Sequence, residues 1–106
     1  MLKSVLSEYN NGWFLGDFIP AIFQTKEFEV CVKTFKVGDR EASHFQLIAT
    51  EITVVLSGKV RMGEVFLDEN DILVVNPGEI VDFEALTECK VLGIKFPSLP
   101  ADKILA

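Results

Sequence analysis

The feature that most narrows the fold of this chain is a rhythm of short apolar runs, each broken within a few residues by a turn-forming group. Runs occur at His44 to Ile48, Glu51 to Leu56, Val60 to Met62, Val65 to Leu67, Ile72 to Val75, Val81 to Leu86 and Lys90 to Phe96. Between them stand Ser57-Gly58, Gly63-Glu64, Asp68 to Asp71, Asn76-Pro77-Gly78 and Thr87-Glu88, residues that turns prefer for their φ values or local hydrogen bonds. Upstream, Trp13-Phe14 and Phe18 to Phe23 flank Gly16-Asp17. Phe28, Val30 and Val32 then alternate with Glu27, Glu29, Cys31 and Lys33, the period of two expected of a half-buried strand, which Gly38-Asp39 ends. No stretch before residue 98 sustains a helical period, and the tail after Pro97 and Pro100 has room for one helical turn at most. Many short strands at close spacing specify an all-β sandwich or barrel.

Composition agrees and closes off other classes. Nine Phe with abundant Val and Ile favour pleated surfaces, and 49% hydrophobic against 25% charged residues is a globular balance. A chain of 106 residues without linker or repeat reads as one domain. The net charge of −6 repels a phosphate backbone, so no nucleic-acid partner is expected. The longest apolar stretches, Ile19 to Phe23 and Ile72 to Val75, fall far short of the roughly 20 residues a bilayer requires, so no membrane partner is expected either. Met1 to Glu8 contains no apolar signal region, and the expected location is cytoplasmic. Cys31 and Cys89 lack a C-x-x-C spacing and read as reduced thiols in the core.

One constellation carries chemistry. Gly38, five residues, His44, one residue, Gln46, four residues, Glu51, six residues and Gly58 follow in order. This spacing resembles the first motif of the cupin superfamily, in which a second His stands at the place of Gln46. Asn70-Asp71-Ile72-Leu73-Val74-Val75-Asn76-Pro77-Gly78 is similar to the second cupin motif, with Asn70 for a Gly and Asn76 for a Pro. The block from Ile48 to Thr53 looks like that of a group of small bacterial cupins. The resemblance implies a single cupin domain over 1-106: a double-stranded β-helix, or jelly-roll barrel, over about 28-97, and a short tail over 98-106. It also implies a pocket in one mouth of the barrel, lined by His44, Gln46, Glu51, Thr53 and Val81. Carried over by position, the family's metal ligands become His44, Gln46, Glu51 and Val81.

Imidazole and carboxylate donors suit first-row divalent ions, but an amide oxygen is a weaker donor and Val81 donates nothing. Two functional expectations follow. The first is a barrel that binds a small polar or acidic metabolite with weak or absent metal. The second is a metal-dependent enzyme of dioxygenase or isomerase type, with His44, Gln46 and Glu51 holding iron, manganese, nickel or zinc. A metal-free epimerase-like enzyme would depend on His44 as base, and a purely structural role is the remaining alternative. Glu51 inside an apolar strand needs pairing or hydration, whether by His44, by Arg61 or in the service of a ligand, and Asp82 is expected on the face opposite Val81 unless a bulge intervenes.

If Glu51, Thr53, Val55 and Ser57 face the cavity, then Ile52, Val54 and Leu56 face outward, where water would leave them uncovered. The expected cover is a second copy, in a homodimer. The in-chain alternatives are the N-terminal strand and the tail from Phe96 to Ala106.

Overall fold

The computed structural model describes residues 1–106. After two short 3-10 turns at Leu6–Glu8 and Asn10–Gly12, the chain is built of strands: β1 (Trp13–Gly16), β2 (Phe23–Gln24), β3 (Glu29–Phe35), β4 (Arg40–Gln46), β5 (Thr50–Ser57), β6 (Val60–Met62), β7 (Val65–Leu67), β8 (Ile72–Val75), β9 (Val81–Ala85), β10 (Cys89–Phe96) and β11 (Lys103–Leu105). They form a six-stranded sheet, order β2-β1-β3-β10-β5-β8, and a five-stranded sheet, order β11-β4-β9-β6-β7. Every pairing is antiparallel except β1 with β2.

The pairings are nested around one hairpin. β6 pairs with β7, β5 with β8, β4 with β9 and β3 with β10. Successive pairs alternate between the two sheets, as in a ribbon wound around a barrel, which defines the jelly roll. The expected all-β double-stranded β-helix is therefore present, with turns where Gly and Asn were read as turn residues.

Inside the barrel, side chains change from apolar to polar along the strands. On β5 the inward positions run from Val55, fully buried, through Thr53 to Glu51. On β10 they run from Val91 through Gly93 to Lys95, and on β3 from Phe35 through Lys33 and Cys31 to Glu29. The register aligns these gradients: Val55 opposes Val91, Gly93 opposes both Thr53 and Cys31, and Lys95 opposes both Glu51 and Glu29. One end is thus a dry core of Val55, Val60, Met62, Val81, Phe83 and Val91 with their neighbours. The other end is lined with polar groups.

The fold settles two points that the sequence left open. The alternation on β3 is real, and its buried phase is the more polar one: Glu29 and Cys31 are buried, whereas Val30 and Val32 lie on the outer face. The inward phase is polar because it lines a cavity rather than the core. The tail forms no helical turn. Asp102, itself buried, accepts hydrogen bonds from the amides of Ile48 (2.9 Å) and Ala49 (2.8 Å), and β11 pairs with β4, setting Lys103 opposite Gln46 and Leu105 opposite His44. The tail is therefore an edge strand of the five-stranded sheet, fixed by a carboxylate that satisfies two loop amides.

Candidate ligand-binding site

The polar end of the barrel encloses a cavity of about 460 Å3, within the usual range for small-molecule sites. His44, Glu51 and Thr53 line it, as do Glu29, Lys33 and Lys95. Met62, Phe83 and Val91 form its apolar floor, and Trp13 and Phe18 reach it from the N-terminal side. Strand alternation places all of these but Phe18, which lies in the loop between β1 and β2, since inward positions on neighbouring strands share one face.

His44 and Glu51 meet across the barrel, from opposite sheets. Nδ1 of His44 lies 2.9 Å from the carbonyl oxygen of Ala42; because a carbonyl only accepts, this nitrogen carries the hydrogen. Nε2 is left to face Glu51 Oε2 at 3.6 Å, an ion-pair distance. Contact with Glu51 pushes the His44 pKa above its ordinary value, outweighing desolvation. Burial alone would push the Glu51 carboxyl up, but His44, Lys95 and Lys103 together hold it below its ordinary value. Of the two side chains foreseen as partners for Glu51, His44 is the one in ion-pair contact with it. Arg61 instead makes paired hydrogen bonds of 2.9 and 3.0 Å to Asp82 and one of 3.4 Å to Glu84. Asp82 indeed lies opposite the buried Val81.

Gln46 and Val81, both expected in the pocket, are buried but do not line the cavity. The backbone carbonyl of Gln46 accepts a 2.8 Å hydrogen bond from the amide of Gly78, tying the turn after β8 to the end of β4, while its side-chain amide has no partner at either atom. Val81 pairs with His44 across β4 and β9 and packs into the core.

Several cavity residues were not read from the sequence. Lys33 and Lys95 set their ammonium groups 5.4 and 5.1 Å from the centre of the Trp13 ring, in cation–π range. Lys33 also bonds Glu41 at 3.3 Å, whereas Lys95 and Lys103 have no carboxylate in ion-pair contact. Burial pushes the Glu29 carboxyl above its ordinary value against the pull of Lys95. Burial likewise pushes the Cys31 thiol up to about 11, so it stays protonated and inert. The signal that could have found this wall is Gly93: a Cβ there would stand 2.8 Å from Cys31 Sγ. A glycine inside an apolar strand marks a place where space is needed.

No family model matches the chain, and no curated protein matches it. Solved structures do. An uncharacterised conserved protein with a double-stranded β-helix domain from Klebsiella pneumoniae superposes with TM-score 0.70 at 22% identity, covering 77% of this chain and 72% of that one. An RmlC-like cupin from Desulfovibrio desulfuricans gives TM-score 0.63 at 22% identity, covering 71% and 76%. The DMSP lyase DddQ from Ruegeria pomeroyi gives 0.72 at 17% identity, covering 89% of this chain and 49% of that one. The chain therefore has the cupin fold, the double-stranded β-helix of these structures.

Cupins are often metal proteins, which makes the donor set worth testing. No group of three or more His, Cys, Asp or Glu side chains is placed to hold a metal ion. His44 offers one nitrogen, Glu51 already pairs with it, and the position that would supply a further imidazole is Val81. This set does not fit a tightly held metal.

Proposed function

We propose that this protein is a small-molecule-binding barrel whose polar mouth holds a small acidic metabolite, with no tightly held metal. One observation carries the reading: Lys95 and Lys103, free of ion-pair contacts, share the cavity with the His44–Glu51 pair. Unpaired ammonium groups in a confined site favour a carboxylate ligand, and Trp13 and Phe18 supply apolar area for its carbon skeleton. Buried, reduced Cys31 and Cys89 suit a cytoplasmic setting. No helix is long and apolar enough to cross a membrane. The assembly proposed with this reading is a homodimer.

Calorimetric titration with a panel of small hydroxy- and keto-carboxylates tests the ligand class. The expected result is saturable binding of at least one acid, weakened roughly 10-fold or more in Lys95→Met. Binding that is indifferent to Lys95→Met sinks the reading. A weak divalent-cation site is the second reading, favoured by the unpartnered Gln46 amide and by Glu51 Oε2, which faces His44 at ion-pair distance without a hydrogen bond. Metal analysis after reloading separates the two: about one equivalent of iron, manganese, nickel or zinc supports the second, and under about a tenth excludes it.

A further inference from the structure

Residues 97–106 leave the six-stranded sheet at the end of β10 and finish as β11 on the edge of the five-stranded sheet, so they cross from one side of the barrel to the other. They cross at the cavity mouth. Pro100 and Lys103 belong to its lining, beside Phe18 and Pro20 of the β1–β2 loop. What holds the segment there is polar: Ser98 and Asp102 are its only buried residues, and every other side chain in it is exposed.

Ser98 ties the segment to the loops on either side of β2. Its hydroxyl accepts a 2.8 Å bond from the Asp17 amide, and its own amide donates to the Lys26 carbonyl at 2.9 Å. Asp102 ties it to the β4–β5 loop, where its carboxylate holds the amides of Ile48 and Ala49 and its carbonyl accepts from the Leu47 amide at 3.2 Å. No cation is in ion-pair contact with this carboxylate. Beyond the effects of burial and of Lys95, the Glu29 carboxyl inside the cavity feels the Leu99 backbone and the Asp102 charge. The anchors of the segment thus stand at the cavity wall.

A short edge strand without buried apolar side chains belongs to the part of a fold that opens first. Opening β11 carries Lys103 away from the mouth, because the strand that leaves is the one that bears it. An anion seated against Lys103 therefore binds the shut form more tightly than the open one, and such a differential contact is what shifts the balance between two states. We propose that residues 97–105 form a strap across the cavity mouth, latched by Asp102 and held shut by an anion bound against Lys103. Asp102 is a positioning residue, acting on the ligand through the Lys103 it keeps in place. Only the closing ligand rests on the acid-binding reading; the latch stands on its own contacts.

Alkylation of the two thiols by iodoacetamide, followed site by site with mass spectrometry across urea concentrations below the unfolding transition, tests the latch. Cys31 lines the cavity, and Cys89 lies in the dry core. Burial keeps the Cys31 thiol protonated while the strap is shut, so its reaction reports the open form. Strap opening exposes little surface, so Cys31 should react at a rate nearly independent of urea, whereas Cys89 should wait for global unfolding and rise steeply with urea. Asp102→Ala should speed the Cys31 reaction roughly 30-fold with the flat urea dependence kept, and Asp102→Asn, which retains one acceptor oxygen, should fall between. Should Asp102→Ala fail to fold, Asp102→Asn carries the same readout. Equal urea slopes at the two thiols, or a Cys31 rate indifferent to both substitutions, overturns the latch. Hydrogen exchange at the Ile48 and Ala49 amides tests the response, with the tightest-binding acid of a panel that includes lactate, pyruvate and malate. At saturation the acid should slow both amides roughly 10-fold more in wild type than in Lys103→Met. Equal slowing in the two proteins overturns the response. If no acid binds, the acid-binding reading falls and takes the response with it, while the Cys31 rates still decide the latch.

Discussion

At the residue scale the site turns on His44, the only histidine, and its pairing with Glu51. The pKa of His44 is raised above its usual 6.5, so its contribution to stability is complete below about that pH and is lost as pH rises through the folded pKa. The pKa of Glu51 is lowered below 4.5, so its contribution is complete above that pH and is lost as pH falls through the folded pKa. The pair therefore stabilises the fold most between about 4.5 and 6.5. A single imidazole signal in an NMR titration should report a pKa above the ordinary histidine value, and Glu51→Gln should move it down. A wild-type His44 titrating below 6.5 would contradict the pairing. The departures at Gln46 and Val81 were legible through the resemblance to the cupin motifs, because a motif position records the residue that occupies it. The roles of Glu29, Lys33 and Lys95 were not. Apolar residues ordinarily point inward, and β3 breaks that rule to line a cavity.

At the scale of single elements, the motif glycines divide by what surrounds them. Gly58 and Gly78 share nearly the same backbone, with φ of +82° and +83°, and both pay the left-handed strain when a side chain is added. At Gly58 a Cβ would also stand 2.3 Å from the carbonyl oxygen of Glu88, whereas at Gly78 it would meet open space. Gly58→Ala should therefore destabilise the protein by about 2 kcal/mol or more beyond Gly78→Ala in urea unfolding. Equal costs would show that the β5–β6 turn yields. The tail offers a second test. Asp102→Ala leaves the amides of Ile48 and Ala49 without their acceptor and should cost about 2–3 kcal/mol, with faster hydrogen exchange at both amides. The turns were readable because Gly and Asn state their own backbone requirement. Strand β11 was not, because a three-residue strand after two prolines forms only where an open edge and a carboxylate anchor await it.

At the scale of the whole molecule, the dry core joins the sheets: Val55, Val75 and Val91 come from one, and Val60, Met62, Leu67, Val81 and Phe83 from the other. Neither sheet keeps its buried face without its partner, so unfolding should be one cooperative step. Trp13, the only tryptophan, reports from the cavity side. Its fluorescence and the far-UV circular dichroism should give coincident urea transitions, and an earlier fluorescence transition would reveal a separately melting cavity end. The sequence alone determined the cupin barrel, because strand period, turn residues and motif spacing are local properties that need no partner strand to be read. It also determined the outward, apolar phase of β5. Tertiary structure decided what these phases serve. Only the pairing of β3, β10, β5 and β8 aligns their outward residues in shared apolar rows, and only the register that sets Lys95 against Glu51 and Glu29 gathers the cavity's charges. Both are contacts between residues far apart in the chain, and no local pattern encodes which inward positions will meet.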